Sequence, residues 1–183
     1  MYDKFGWNPK REKKWGQMGP LERSAYAVTI RDMCMRHPDI AVHAIVVKKE
    51  NVLPHIRKDG NKLYNYMVKL ALMNRMARHR RVTLVPDPRS IKVRSGNSMN
   101  DYLQTELWFA ANADTELETC PVDSANCKGI QFADAVGGIV QASFEFNAAA
   151  DFQAIERRIQ LKRLFFSPPA RLSTANAPAL SGP

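Results

Sequence analysis

Leu63, Met67, Leu70, Met73 and Met76 recur at three- and four-residue spacing, with Lys69, Arg75 and Arg78 between them on other faces. That spacing lines one side of a helix and predicts an α-helix over residues 62–80 with the methionines in the core. Pro20, Glu22 and the series Leu21, Ala25, Val28, Ile30 and Met33 predict a second amphipathic helix that ends before Pro38. Residues 40–47 are apolar almost throughout and read as a central strand covered on both faces. Residues 82–86, short and β-branched, predict a buried strand that ends in the acid Asp87. Tyr102, Leu103, Leu107, Trp108 and Phe109 predict a helix over 99–112, and a short strand follows over 116–122. A helix starts near Ile130. Another is expected over 151–164, with Asp151 as its N-cap and Phe152, Ile155, Ile159 and Leu161 on its apolar face.

Strands alternating with helices predict an α/β fold, a mostly parallel short sheet flanked by helices, because parallel neighbours need crossover connections. No repeat period suggests a solenoid. The chain of 183 residues suits one domain, expected over 20–166. Before it, residues 1–19 mix Tyr2, Phe5, Trp7 and Trp15 with Lys10, Arg11, Lys13 and Lys14 and read as a basic aromatic surface arm. After it, residues 167–183 turn to Pro, Ala and Ser and read as a disordered tail.

Composition narrows the class only slightly. A hydrophobic fraction of 45% with 25% charged residues is ordinary for a globular protein. No long apolar run and no secretory leader is visible, so a cytoplasmic protein without a membrane span is expected. The 3 cysteines, Cys34, Cys120 and Cys127, lack the paired spacing of a disulfide framework or zinc knuckle and read as free thiols.

Charge changes the picture more. The net charge is +9, and it is unevenly divided. Residues 61–95 hold nine Lys or Arg (among them Arg78, Arg80, Arg81, Arg89, Lys92 and Arg94) against Asp87 alone. Residues 96–150 hold eight acids against Lys128. A basic stretch beside an acidic one suits capture of a phosphate backbone, so nucleic acid is the expected partner. Solvated helix faces would give the same division.

Two acids stand out. Asp134 lies three residues after Gln131 in an apolar, glycine-containing helix start, so both share one helix face. Asp87 ends a strand. Each has a plainer alternative: an Asp before Pro88 starts turns, and Gln131, Asp134, Gly138, Gln141 and Glu145 would also make a solvent stripe. His37, His43, His55 and His79 share no ligand spacing, and His43 reads as a satisfied core residue. Ser90 and Ser124 lack a histidine partner pattern for a hydrolase triad.

The run Gln131-Phe132-Ala133-Asp134, with Asp123-Ser124 and Gly129 before it and Gly137-Gly138 after it, resembles the Gln-x-Ala-Asp hallmark of the family called domain of unknown function 3800. Asp87 is similar to that family's acid at a strand end, and Glu12, in Glu12-Lys13-Lys14-Trp15, to its acid before the first long helix. The resemblance implies a ribonuclease H-like fold and a nuclease, a hydrolase of DNA or RNA phosphodiesters. Asp87 and Asp134 would bind Mg²⁺ or Mn²⁺, Glu12 would complete the catalytic acids, and Gln131 would orient a metal-bound water or contact a phosphate. Arg89, Lys92 and Arg94 would lie against the substrate backbone. A mobile-element or defence setting is what the family suggests.

The family opens with an Asp-Glu-Ser-Gly strand that finds no counterpart before Glu12, so the expected fold is an incomplete ribonuclease H-like one. A truncated copy, or a start upstream of Met1, would account for this. The alternative is therefore a catalytically inactive module that binds nucleic acid or a partner protein. The missing neighbour would leave strand 40–47 with an open edge and predicts a homo-oligomer formed through it.

Overall fold

Among the described residues, four strands form two separate parallel pairs rather than one sheet. The computed structural model describes residues 1–8, 11–88 and 99–166. Along the chain come α1 (Tyr2–Phe5), a 3₁₀ turn (Trp15–Gln17), α2 (Pro20–Arg36), β1 (Val42–Val47), a 3₁₀ turn (Lys49–Asn51), α3 (Pro54–Arg57) and α4 (Gly60–Met76). Then follow β2 (Arg81–Leu84), α5 (Met99–Thr105) continuing into a π turn (Glu106–Ala110), and β3 (Glu116–Thr119). A 3₁₀ turn (Ser124–Asn126), α6 (Lys128–Glu145), α7 (Ala149–Ile155), a 3₁₀ turn (Glu156–Arg158) and β4 (Ile159–Leu164) complete the order. Mixed helix and short parallel strands make this an α/β protein.

β1 pairs with β4 from Val42↔Ile159 to Val47↔Leu164, and β2 with β3 from Arg81↔Glu116 to Leu84↔Thr119. Each pair has its own core. Ala27, Ile30 and Cys34 of α2, Val136, Ile139 and Val140 of α6, and Phe152 and Ile155 of α7 bury against Val42, with Ala44, Val46, Ile159 and Leu161 packed on them. Met76, Met99, Leu103, Leu107 and Leu117 form the second core, covered by Val82, Leu84 and Leu72. The helix α4 joins the two: it packs on β1, its Met76 enters the second core, and the Leu70 carbonyl accepts from Lys162 Nζ of β4.

Several expectations change. Helix α2 forms where expected, with the Glu22 carboxylate accepting from the Gly19 N–H at 2.7 Å. It buries Ala27, Ile30 and Cys34, whereas Leu21 is 83% exposed and Val28 40%. The three buried positions lie at i, i+3 and i+7, a consistent helical face one step round from the anticipated one. β1 is paired along one edge only among the described residues, so it is not a central strand. Nor is β2 buried throughout: Val82 and Leu84 are half-buried while Arg81 and Thr83 face solvent, the alternation of a sheet covered on one face.

The helix expected over 151–164 stops at Ile155, turns through Glu156–Arg158 and becomes β4. Its N-cap is Ala148, and Asp151 instead accepts from Ser24 Oγ of α2 at 2.8 Å. The arm is also only partly free. Met18 is 5% exposed and Trp15 packs on the first core, because Gly138 of α6 leaves room for the indole. That glycine serves a contact with the arm.

Candidate functional site

The carboxyl ends of β2 and β3 lead to one neighbourhood, the usual place for a site in open parallel α/β layers. Beyond β2, Pro86 is buried and its carbonyl accepts from Val122 N at 3.2 Å, which holds the strand end carrying Asp87 beside the segment that enters α6. Asp87 itself is half-buried. The next residues form a tight 3₁₀ turn in which the Asp123 carboxylate accepts from Ala125 N at 2.8 Å.

Two of the anticipated residues meet at this turn. Ser124 is 4% exposed, and its hydroxyl donates to Glu12 Oε2 at 3.2 Å. Gln131, 8% exposed, donates from Nε2 to the Ser124 and Ala125 carbonyls at 2.7 and 3.4 Å. Its Oε1 accepts from Lys128 Nζ at 3.1 Å. Gln131 thus fastens the turn to the first turn of α6, a use of the carboxamide that differs from the expected contact with water or phosphate. Glu12 sits within 4.0 Å of Lys14 Nζ, its side chain 12% exposed.

Asp134 is placed differently. It follows Gln131 by almost one helical turn and is exposed. The donor chemistry of Asp87, Asp134 and Glu12 suits a hard divalent ion. No group of three or more His, Cys, Asp or Glu side chains able to hold a metal ion occurs among the described residues.

Of the basic candidates, Arg78, Arg80 and Arg81 lie exposed at the corner between α4 and β2. Arg89, Lys92 and Arg94 lie outside the described residues. Arg81 meets Glu116 at 3.1 Å with both side chains well exposed, a pair of small net effect. Beside this corner runs the segment from the π turn to β3. Thr115 Oγ1 donates to the His79 carbonyl at 2.8 Å and Glu116 N to the Arg80 carbonyl at 2.9 Å. Glu106 holds Lys69 at 2.7 Å, which raises the Lys69 pKa through that hydrogen bond. The same segment carries Trp108, 51% exposed, and Phe109, 82% exposed. The spacing predicts both as helix-face residues; Leu103 and Leu107 already fill that face, a signal that two adjacent aromatics beyond them are left outside.

A groove of about 1090 Å³ runs along β1, walled by Leu63 and Met67 of α4 and by Phe132, Val136 and Phe144 of α6. His43 lines it, and its Nε2 is buried without a hydrogen-bond partner, contrary to a satisfied core histidine. Burial lowers the His43 pKa, and Arg75 and Lys162 lower it further. All three cysteines are free, as the spacing implied.

No family model, no curated protein and no solved structure matches the chain. No helix among the described residues is long and apolar enough to cross a membrane.

Proposed function

We propose that this chain binds nucleic acid, with the α4–β2 corner as its phosphate-contacting surface. The observation that carries this is the exposure of Arg78, Arg80 and Arg81 on a chain of net charge +9. Guanidinium groups at such a surface replace condensed counterions on the phosphate backbone, which drives association and makes it depend steeply on salt. The test is anisotropy of a labelled oligonucleotide titrated with the protein over a range of salt. Binding should weaken linearly in log–log form and persist in EDTA. Replacing Arg78 and Arg80 together with Ala should flatten the slope by about two. No association at low salt would remove the reading.

A second reading, phosphodiester cleavage with Mg²⁺ or Mn²⁺ by a ribonuclease H-like protein similar to domain of unknown function 3800, is favoured by Asp87 standing at the carboxyl end of a parallel strand next to the entry to α6. It rests otherwise on the Gln131–Asp134 motif. Under this reading Mn²⁺-dependent cleavage is lost in Asp87→Asn and Asp134→Asn while binding in EDTA is retained. Equal cleavage by Asp134→Asn and the parent protein would exclude Asp134.

A further inference from the structure

We propose that the α4–β2 corner and the neighbouring π turn together form a docking surface for single-stranded nucleic acid, with Trp108 and Phe109 stacking on bases and Arg78, Arg80 and Arg81 holding the backbone. This rests on the nucleic-acid reading above and adds to it the class of strand. Charge complementarity is the first argument. Arg75, Arg78, Arg80 and Arg81 are exposed around the corner, where Asp114, Glu116 and Glu118 are the exposed acids of the adjoining segment and Glu116 is already opposite Arg81, which leaves three guanidinium groups against two carboxylates. The balance left over is cationic and suits a polyanion.

The second argument is what the aromatics add. A π turn inserts one extra residue into the helical path, and such turns recur at functional positions. Here it spans Glu106–Ala110, so Leu107 is fully buried in the second core while the next two residues, Trp108 and Phe109, stand in solvent. Their turn is fixed to α4 on one side and to the basic corner on the other. Glu106 is held by Lys69 of α4, the Leu107 carbonyl accepts from Ala113 N at 3.0 Å, and Thr115 is bonded to the carbonyls of Met76 and His79. Exposed rings on a rigid support beside arginines are the elements of a stacking platform, in which each base offers a π face whatever its sequence. A duplex hides those faces within its stack and presents its phosphates, sugars and groove edges instead. The surface therefore discriminates strands from duplexes through Trp108 and Phe109, not through the arginines.

The experiment compares a 12-nucleotide oligothymidine with a duplex of equal length, bound to the full chain in EDTA. Trp108→Ala and Phe109→Ala are exposed and should leave folding intact, as circular dichroism would verify. Each should weaken oligothymidine binding by about tenfold and leave duplex binding unchanged. The Arg78→Ala/Arg80→Ala variant should weaken both ligands alike. Unchanged single-strand binding in both aromatic variants overturns the proposal while leaving the nucleic-acid reading standing. Competition by polyglutamate as effective as that by oligothymidine also overturns it, since the surface would then be a general polyanion site. Failure of the parent protein to bind either oligonucleotide overturns the reading and the inference together.

Discussion

Gly137 and Gly138 are neighbours on α6 with opposite surroundings, and the consequence of filling each follows from them. A Cβ at Gly138 would come within 2.3 Å of the Trp15 ring, which is itself covered by the Arg23 guanidinium at 5.3 Å. The indole must shift, so Gly138→Ala should cost about 1–3 kcal/mol, the usual range for overpacking. Around Gly137 nothing lies within 4 Å, and Gly137→Ala should stabilise by up to about 1 kcal/mol, the helix-propensity difference. Urea unfolding of the two variants checks both signs. His43 supplies a pH dependence. Its folded pKa is lowered by burial and by Arg75 and Lys162, so the unfolded imidazole, with an ordinary pKa of about 6.5, takes up its proton first as pH falls. Stability is complete above that value and declines below it until the folded imidazole also protonates. His43→Leu should lose less stability than the parent protein between about pH 7.5 and 5, and an identical decline in both proteins would assign it elsewhere.

At the level of elements, β3 shows how a side chain stands in for a missing strand. Gln104 of α5 donates from Nε2 to the Thr115 carbonyl at 2.7 Å and accepts from Leu117 N at 2.8 Å, clamping the strand along an edge that β2 does not reach. Gln104→Leu removes both bonds and should cost about 1–3 kcal/mol. Hydrogen exchange should show the Leu117 amide losing protection; full protection in the variant would mean that the clamp is dispensable. No spacing in the sequence announces such a clamp, because a glutamine at a polar helix position is unremarkable. The regular elements were legible for the opposite reason. The Met67–Met76 spacing and the β-branched run before Asp87 carry their period in the residues themselves, and α4 and β2 lie close to the expected bounds. β4 was hidden: Ile155 and Ile159 sit four apart as in a helix, and only the turn at Glu156–Arg158 converts that spacing into a strand partner for β1. In the site, Asp87 at a strand end was readable from the run that precedes it. The meeting of Glu12, Ser124 and Gln131 was not, since it depends on Trp15 seating the arm against Gly138.

At the scale of the whole molecule, splitting the strands into two pairs leaves β1 with an outer edge that no strand among the described residues covers. Lys48 N donates to the Leu164 carbonyl, which by parallel alternation turns the backbone groups of Val42, Ala44 and Val46 toward β4 and those of His43, Ile45 and Val47 away from it. The groove walled by α4 and α6 is lined by β1 along its whole length. An edge strand of Val and Ile without a charge or proline of its own lacks the devices that keep edges from pairing. Self-association through it is the expected result, with mass rising with concentration in light scattering. Ile45→Pro removes an outward N–H and spares the bonds to β4, so this variant should stay monomeric at concentrations where the parent protein associates. A parent protein of constant monomer mass, or an Ile45→Pro variant that associates equally well, would show that the groove walls already shield the edge.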